Sequence, residues 1–226
     1  MTTRRIKLVI FDLDGTLVDA YKAVSSSLNY ALGYFGFPLL EDQVIKRSVG
    51  WGEKALIEKF VPKSEVEKVL SVYRQHHRNA LKTGTSFLPG ARDLILDLKK
   101  DNYKLSIASN RPGRFTHIIL KQLAITRQFE SIFCGDMVNN PKPSADMLIR
   151  TLENLSLKPN EAVYVGDMSL DVETGHNANV RTVAVVTGSC TREELERMKP
   201  YAIIEKISDM TKVLLEMNNL ADNNFS

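Results

Sequence analysis

The sequence predicts an α/β fold: a doubly wound, Rossmann-like parallel sheet interrupted by an inserted all-helical domain. Three observations predict it. Five short runs rich in Val and Ile are continuously apolar, the pattern of strands covered on both faces. From the second run onward they alternate with helical patterns, the rhythm of a parallel sheet with crossover helices. Between the first run and the second, from about residue 18 to about residue 85, the patterns are helical and no strand-like run occurs.

In chain order, KLVIF (7–11) opens the sheet and stops abruptly at Asp12. KAVSSSLNYALGYFG (22–36), EKALIEKF (53–60) and SEVEKVLSVYRQHHRNALK (64–82) then read as amphipathic helices. His76 and His77 sit among charged neighbours on the last of these and read as solvent-facing, not as metal ligands. The flanks, GTLVD and TGTSFLPG, carry turn chemistry suited to two linkers. GARDLILDLKKD (90–101) places Leu94, Ile95 and Leu98 on one stripe ahead of the strand KLSIAS (104–109). PGRFTHIILKQL (112–123) and PSADMLIRTLENL (143–155) begin with Pro, as helices tolerate. The strands SIFCG (131–135), AVYVG (162–166) and RTVAVV (181–186) complete the pattern. The expected division is a core made of 1–17 and 86–226, with a helical cap over 18–85. The polar tail NNLADNNFS is expected to fray.

Composition narrows the function. The chain has 226 residues, 43% hydrophobic and 25% charged, as ordinary globular proteins do. A formal charge of +3 argues against a nucleic-acid binder, and Arg4-Arg5 and Lys99-Lys100 read as solvated surface. Cys134 and Cys190 have neither CxxC nor zinc spacing, and Cys134 reads as a buried, inert thiol. No run reaches the roughly 20 apolar residues of a membrane span. A reduced, cytoplasmic protein is expected, a monomer or small homo-oligomer with no nucleic-acid or membrane partner.

The strand ends carry the chemistry. The first gives Asp12 and Asp14, whose carboxylates point to one side if the backbone is still extended. The second gives Ser109 and Asn110, the loop NNPKPS holds Lys142, and VGDMSLD gives Asp167 and Asp171. In a parallel sheet these ends share one edge, where open α/β folds bind ligands. Taken singly, each has a bland reading as a turn, a helix cap or a solvated charge. All of them at consecutive strand ends make one site the simpler account. Clustered carboxylates without His or Cys suit Mg²⁺. The ammonium of Lys142 and the hydroxyl of Ser109 suit the oxygens of a phosphoryl group.

Asp12-Leu-Asp14-Gly-Thr16, Ser109, Lys142 and Gly166-Asp167-xxx-Asp171 together resemble the four signature motifs of the haloacid dehalogenase superfamily of phosphatases. A helical insert directly after the first motif resembles the subclass with a C1-type cap. RSVGWGEKAL (47–56) and VVTGSCTREEL (185–195) are similar to phosphoglycolate phosphatase-like members. The resemblance implies Asp12 as nucleophile and Asp14 as the acid and base that shuttles the proton. It implies Mg²⁺ held by Asp12, the Asp14 main-chain carbonyl and Asp167, with Asp171 acting directly or through water or Lys142. It implies Thr16, Ser109, Asn110 and Lys142 around the phosphate of a small phosphorylated metabolite. Met168 and Asn179 depart from the usual small polar residue and glycine, and Asn179 is expected to adopt a glycine-like turn conformation.

Alternatives stay open at this point. Asp14 argues against a dehalogenase. A phosphonatase needs a cap lysine, and Lys46, Lys54 and Lys59 read as helix surface. A β-phosphoglucomutase-like phosphomutase shares the same core. A phospho-accepting signalling or binding module orders its motifs differently. Phosphoglycolate, pyrophosphate, nucleotides and sugar phosphates are not distinguished. Trp51 between two glycines reads equally as a lid over the substrate or as packing between helices, and Arg47 as a contact to an anionic tail or as surface.

Overall fold

The computed structural model describes residues 6–219. Its elements are β1 (Leu8–Phe11), β2 (Val18–Asp19), α1 (Tyr21–Tyr34), α2 (Asp42–Lys46), α3 (Glu53–Glu58) and α4 (Val66–Thr83). They continue with β3 (Ser86–Phe87), α5 (Ala91–Lys100), β4 (Lys104–Ser109), α6 (Gly113–Gln122), β5 (Ser131–Cys134) and α7 (Asp146–Leu155). β6 (Ala162–Gly166), α8 (Ser169–Asn177), β7 (Arg181–Val185), α9 (Arg192–Arg197), β8 (Ala202–Ile204) and α10 (Met210–Asn219) complete the order.

Every residue of β1 is buried, as the middle strand of a three-layer fold requires. The parallel sheet runs β5-β4-β1-β6-β7-β8, so the chain winds one way from β1 and then the other. Strand alternation splits β1 between two layers. Val9 and Phe11 pack with Leu94, Ile95, Phe115, Ile119 and Leu214 from α5, α6 and α10. Leu8 and Ile10 pack with Met147, Leu148 and Leu152 of α7. Phe11 pairs in register with Ile107 of β4 and Val165 of β6. The next residues of all three strands therefore reach the carboxyl edge together, at the switch point where such sheets bind ligands.

The helices between β2 and β3 bury a cluster of their own, including Leu28, Leu32, Ile57, Val69, Leu70 and Tyr73. The expectation of no strand between 18 and 85 is corrected at its margin. Val18 and Asp19 pair antiparallel with Phe87 and Ser86, so the two linkers form one ribbon. Two residues are too few for periodicity to reveal. His77 is also corrected: it is fully buried, because Tyr73, His77 and Leu81 follow one another at i+4 on the inner face of α4. Asn179 has φ +54, the glycine-like conformation expected of it. Arg4, Arg5 and most of the polar tail lie outside the described residues. Asn218, from that tail, is ordered within α10 and accepts the Ile6 main-chain N–H at 2.9 Å. Among the described residues no helix is long and apolar enough to cross a membrane.

Candidate active site

The loop after β1 is set by its own backbone. Leu17 and Val18 donate main-chain N–H bonds to the Leu13 carbonyl, and Gly15 donates to Val18. Leu13 is fully buried. Gly15 has φ +79, and a Cβ there would lie 2.6 Å from Asp167 Oδ2. Only glycine meets both conditions.

Lys142 lies at the centre of the site, almost wholly buried. Its Nζ donates to Asp12 Oδ1 at 2.8 Å, to Asp171 Oδ1 at 2.6 Å and to the Tyr164 hydroxyl at 3.0 Å. Burial alone would strip its proton, but Asp12 and Asp171 keep it firmly charged. Asp171 Oδ2 accepts the Met168 N–H at the start of α8, which fixes that carboxylate in turn. Asp12 Oδ2, by contrast, takes no hydrogen bond among the described residues, and Asp12 lines a cavity.

Asp167 is fully buried and accepts from Thr16 Oγ1 at 3.1 Å and from the Ser189 N–H at 3.1 Å. Asp12, Asp167 and Asp171 each bring one oxygen within 4.8 Å of the others. Fully ionised, three carboxylates against one ammonium would leave two negative charges in a buried space. Burial, opposed by Lys142 and helped by Asp171, pushes Asp12 up to about 6. Burial together with Asp171 and Asp12 holds Asp167 well above the usual carboxylate range. An all-oxygen donor set with this charge excess fits a hard divalent cation.

The cavity beside these acids is walled by Asp14, Ser109, Arg111, Glu53, Tyr73 and Met168, among others. Of the expected residues, Ser109 and Asn110 stand at its edge. The Asn110 side chain accepts the Lys142 N–H at 2.9 Å and donates to the Lys142 and Gly50 carbonyls, joining core to helical insert. Thr16 is turned to Asp167. Gly50 and Gly52 line the cavity, but the Trp51 side chain does not and is 52% exposed. Arg47 reaches the core instead, forming a bidentate pair with Glu194. Lys46, Lys54 and Lys59 do not line the cavity. Cys134 is buried, which pushes its thiol up to about 11.

Three residues of the site escaped sequence reasoning. Tyr164 sits in a wholly apolar strand and read as core. Arg111 donates from Nε and Nη2 to both oxygens of Asp14, at 2.6 and 2.9 Å, and from Nη1 to His77 Nε2 at 2.8 Å. Its signal was an arginine directly after Ser109-Asn110. Glu53, from the insert, takes Arg74 and Arg114 on one oxygen, Oε1, and its Oε2 is buried without a partner.

Residues 9–185 match the family model of the haloacid dehalogenase-like hydrolases. The chain belongs to that family. The hydrolase is 29% identical over 209 residues to a phosphoglycolate phosphatase of Aquifex aeolicus, across 92% of this chain and 97% of the relative. A pyrophosphatase of Bacillus mycoides is 28% identical over 214 residues, 95% of this chain and 99% of its own. The hydrolase also shares its fold with a predicted phosphoglycolate phosphatase from Haemophilus somnus, at a TM-score of 0.88 and 22% identity. That likeness covers 92% of this chain and 98% of the other.

Proposed function

We propose that this hydrolase, a phosphatase by family and by its relatives, cleaves a small phosphate monoester through an aspartyl-phosphate on Asp12, with Mg²⁺ as cofactor. The observation that carries the reading is the Asp12 carboxylate. Lys142 holds one oxygen and the other is unpartnered beside the cavity. A nucleophile needs that combination of fixed orientation and a free lone pair.

In the first step Asp12 Oδ2 bonds to phosphorus as the ester oxygen leaves, and Asp14, protonated with its pair to Arg111 opened, gives that oxygen its proton. In the second, Asp14 takes a proton from water, whose oxygen bonds to phosphorus and releases orthophosphate with the Asp12 carboxylate restored. Ser109 and the Asn110 main-chain N–H hold the phosphoryl oxygens, and the charge of Lys142, whose three N–H bonds go to Asp12, Asp171 and Tyr164, offsets theirs. Asp171 and Tyr164 keep the Lys142 ammonium in place, and Thr16 orients Asp167. Mg²⁺, bound by Asp12, Asp167 and the Asp14 carbonyl, would neutralise the charge of the phosphoryl group. The helices over 18–85 serve as the cap that selects the leaving group; the relatives suggest phosphoglycolate as the monoester, with the anhydride pyrophosphate as the alternative substrate.

Phosphate release from a panel of small esters and pyrophosphate, with Mg²⁺ or EDTA, tests this. Asp12→Asn and EDTA should each lower turnover at least about a thousandfold. Release by Asp12→Asn at the wild-type rate would sink the covalent mechanism.

A further inference from the structure

We infer that Arg111 determines substrate specificity by binding a second anion, a carboxylate or phosphoryl group, carried by the leaving group. The inference rests on the phosphatase reading above and goes beyond it to the chemistry of the substrate's tail.

A guanidinium has five N–H donors. Asp14 takes two of those of Arg111, from Nε and Nη2, and His77 takes one from Nη1. One N–H on each terminal nitrogen therefore remains without a partner among the described residues. The side chain is only 8% exposed, so water does little to satisfy them. Arg111 also forms the cavity wall next to Asp14, the residue that would protonate the leaving oxygen. Whatever that oxygen is attached to must lie against this wall.

The fork is held before any ligand arrives. His77 Nδ1 lies 3.0 Å from Ser27 Oγ, which itself donates to the Ala23 carbonyl, so Nδ1 carries the proton and Nε2 accepts from Arg111. Burial and the neighbouring guanidinium keep the imidazole neutral. A planar cation fixed on two sides is suited to a planar or tetrahedral anion, and loses little freedom on binding it.

Glu53 supplies the competing ligand. Its partnerless Oε2 would suit a hydroxyl donor on a neutral tail. The two chemistries are separable by calorimetry in the Asp12→Asn protein, where binding is read without turnover. The probes are 2-phosphoglycolate, glycerol 3-phosphate and ethyl phosphate: anionic, hydroxylated and plain tails on the same phosphate. Phosphoglycolate should bind most tightly. Arg111→Met should reduce its advantage over ethyl phosphate about 10- to 100-fold, and Arg111→Lys, which keeps the charge without the fork, by less. A merely structural Arg111 would weaken all three probes in proportion, and that outcome overturns the inference. So does tighter binding of glycerol 3-phosphate, or of phosphoglycolate no better than ethyl phosphate. Failure of the underlying reading shows separately, as hydrolysis that survives Asp12→Asn.

Discussion

Lowering the pH from 7 to 5 should cost the fold about 2 kcal/mol through His77 alone. The imidazole is fully buried and stacked on Tyr73, with ring centroids 4.8 Å apart. Burial first, and Arg111 second, push its pKa down from 6.5 to about 2. In the unfolded chain it protonates near 6.5, whereas in the folded protein it stays neutral throughout this range. A folded pKa below the unfolded one means stability that is complete above 6.5 and is lost as pH falls toward 2. The loss runs at about 1.4 kcal/mol per pH unit once the unfolded histidine is charged. From pH 7 to 5 the unfolded histidine gains most of one proton, which gives the figure above. Asp12, pushed up to about 6 by burial, has the opposite trend and blurs the wild-type profile. The comparison is therefore with His77→Gln, where the Asp12 contribution is the same and cancels. Urea unfolding at both pH values, followed by the fluorescence of Trp51, the one tryptophan of the chain, reads the helices that contain His77. Wild type should lose about 2 kcal/mol more than the variant between pH 7 and 5. Equal losses would show that the imidazole accommodates a proton in place, and would refute the neutral Nδ1–H form on which its bond to Arg111 depends.

Two further outcomes concern the packing on Asp167 and the pair that joins insert to core. At Gly188 a Cβ would lie 1.6 Å from Asp167 Oδ2, so Gly188→Ala should displace that carboxylate and raise the Mg²⁺ concentration for half-maximal activity at least about tenfold. An unchanged Mg²⁺ titration would remove Asp167 from the cation site. The Arg47–Glu194 pair spans insert and core with side chains 42% and 34% exposed. A double-mutant cycle on unfolding should give a coupling of only about 0.2–1 kcal/mol that fades in high salt, and a large, salt-insensitive coupling would contradict it.

How the site could be read from the sequence depended on where each residue sits along a strand. Asp12 and Asp167 follow apolar runs directly, Lys142 and Asp171 lie in the loop and the helix beyond such runs, and parallel register carries consecutive strand ends to one edge. Tyr164 lies within such a run, so its hydroxyl on Lys142 is concealed by an environment that reads as pure core. His77 was hidden by its neighbours: α4 is so polar that its histidines look solvated, although the Tyr73–His77–Leu81 spacing marks the inner stripe. Arg111 and Glu53 meet their partners across sequence gaps that local pattern does not span. The ribbon of β2 and β3 and the short edge strand β8 are too brief to show any period.

That ribbon ties exit and re-entry together. Because Val18 pairs with Phe87 and Asp19 with Ser86, the chain leaves the core and returns to it at one point, like a plug with a single stem. Beyond the stem the insert meets the core through separate contacts, His77 on Arg111, Gly50 on Asn110 and Arg47 on Glu194. Replacing residues 20–85 with a helical module from a related enzyme should leave the carboxylates at the sheet edge where they are. The part of the cavity wall that the insert supplies is thus exchangeable as one contiguous stretch of gene, while Arg111 and the residues proposed to handle phosphorus stay with the core.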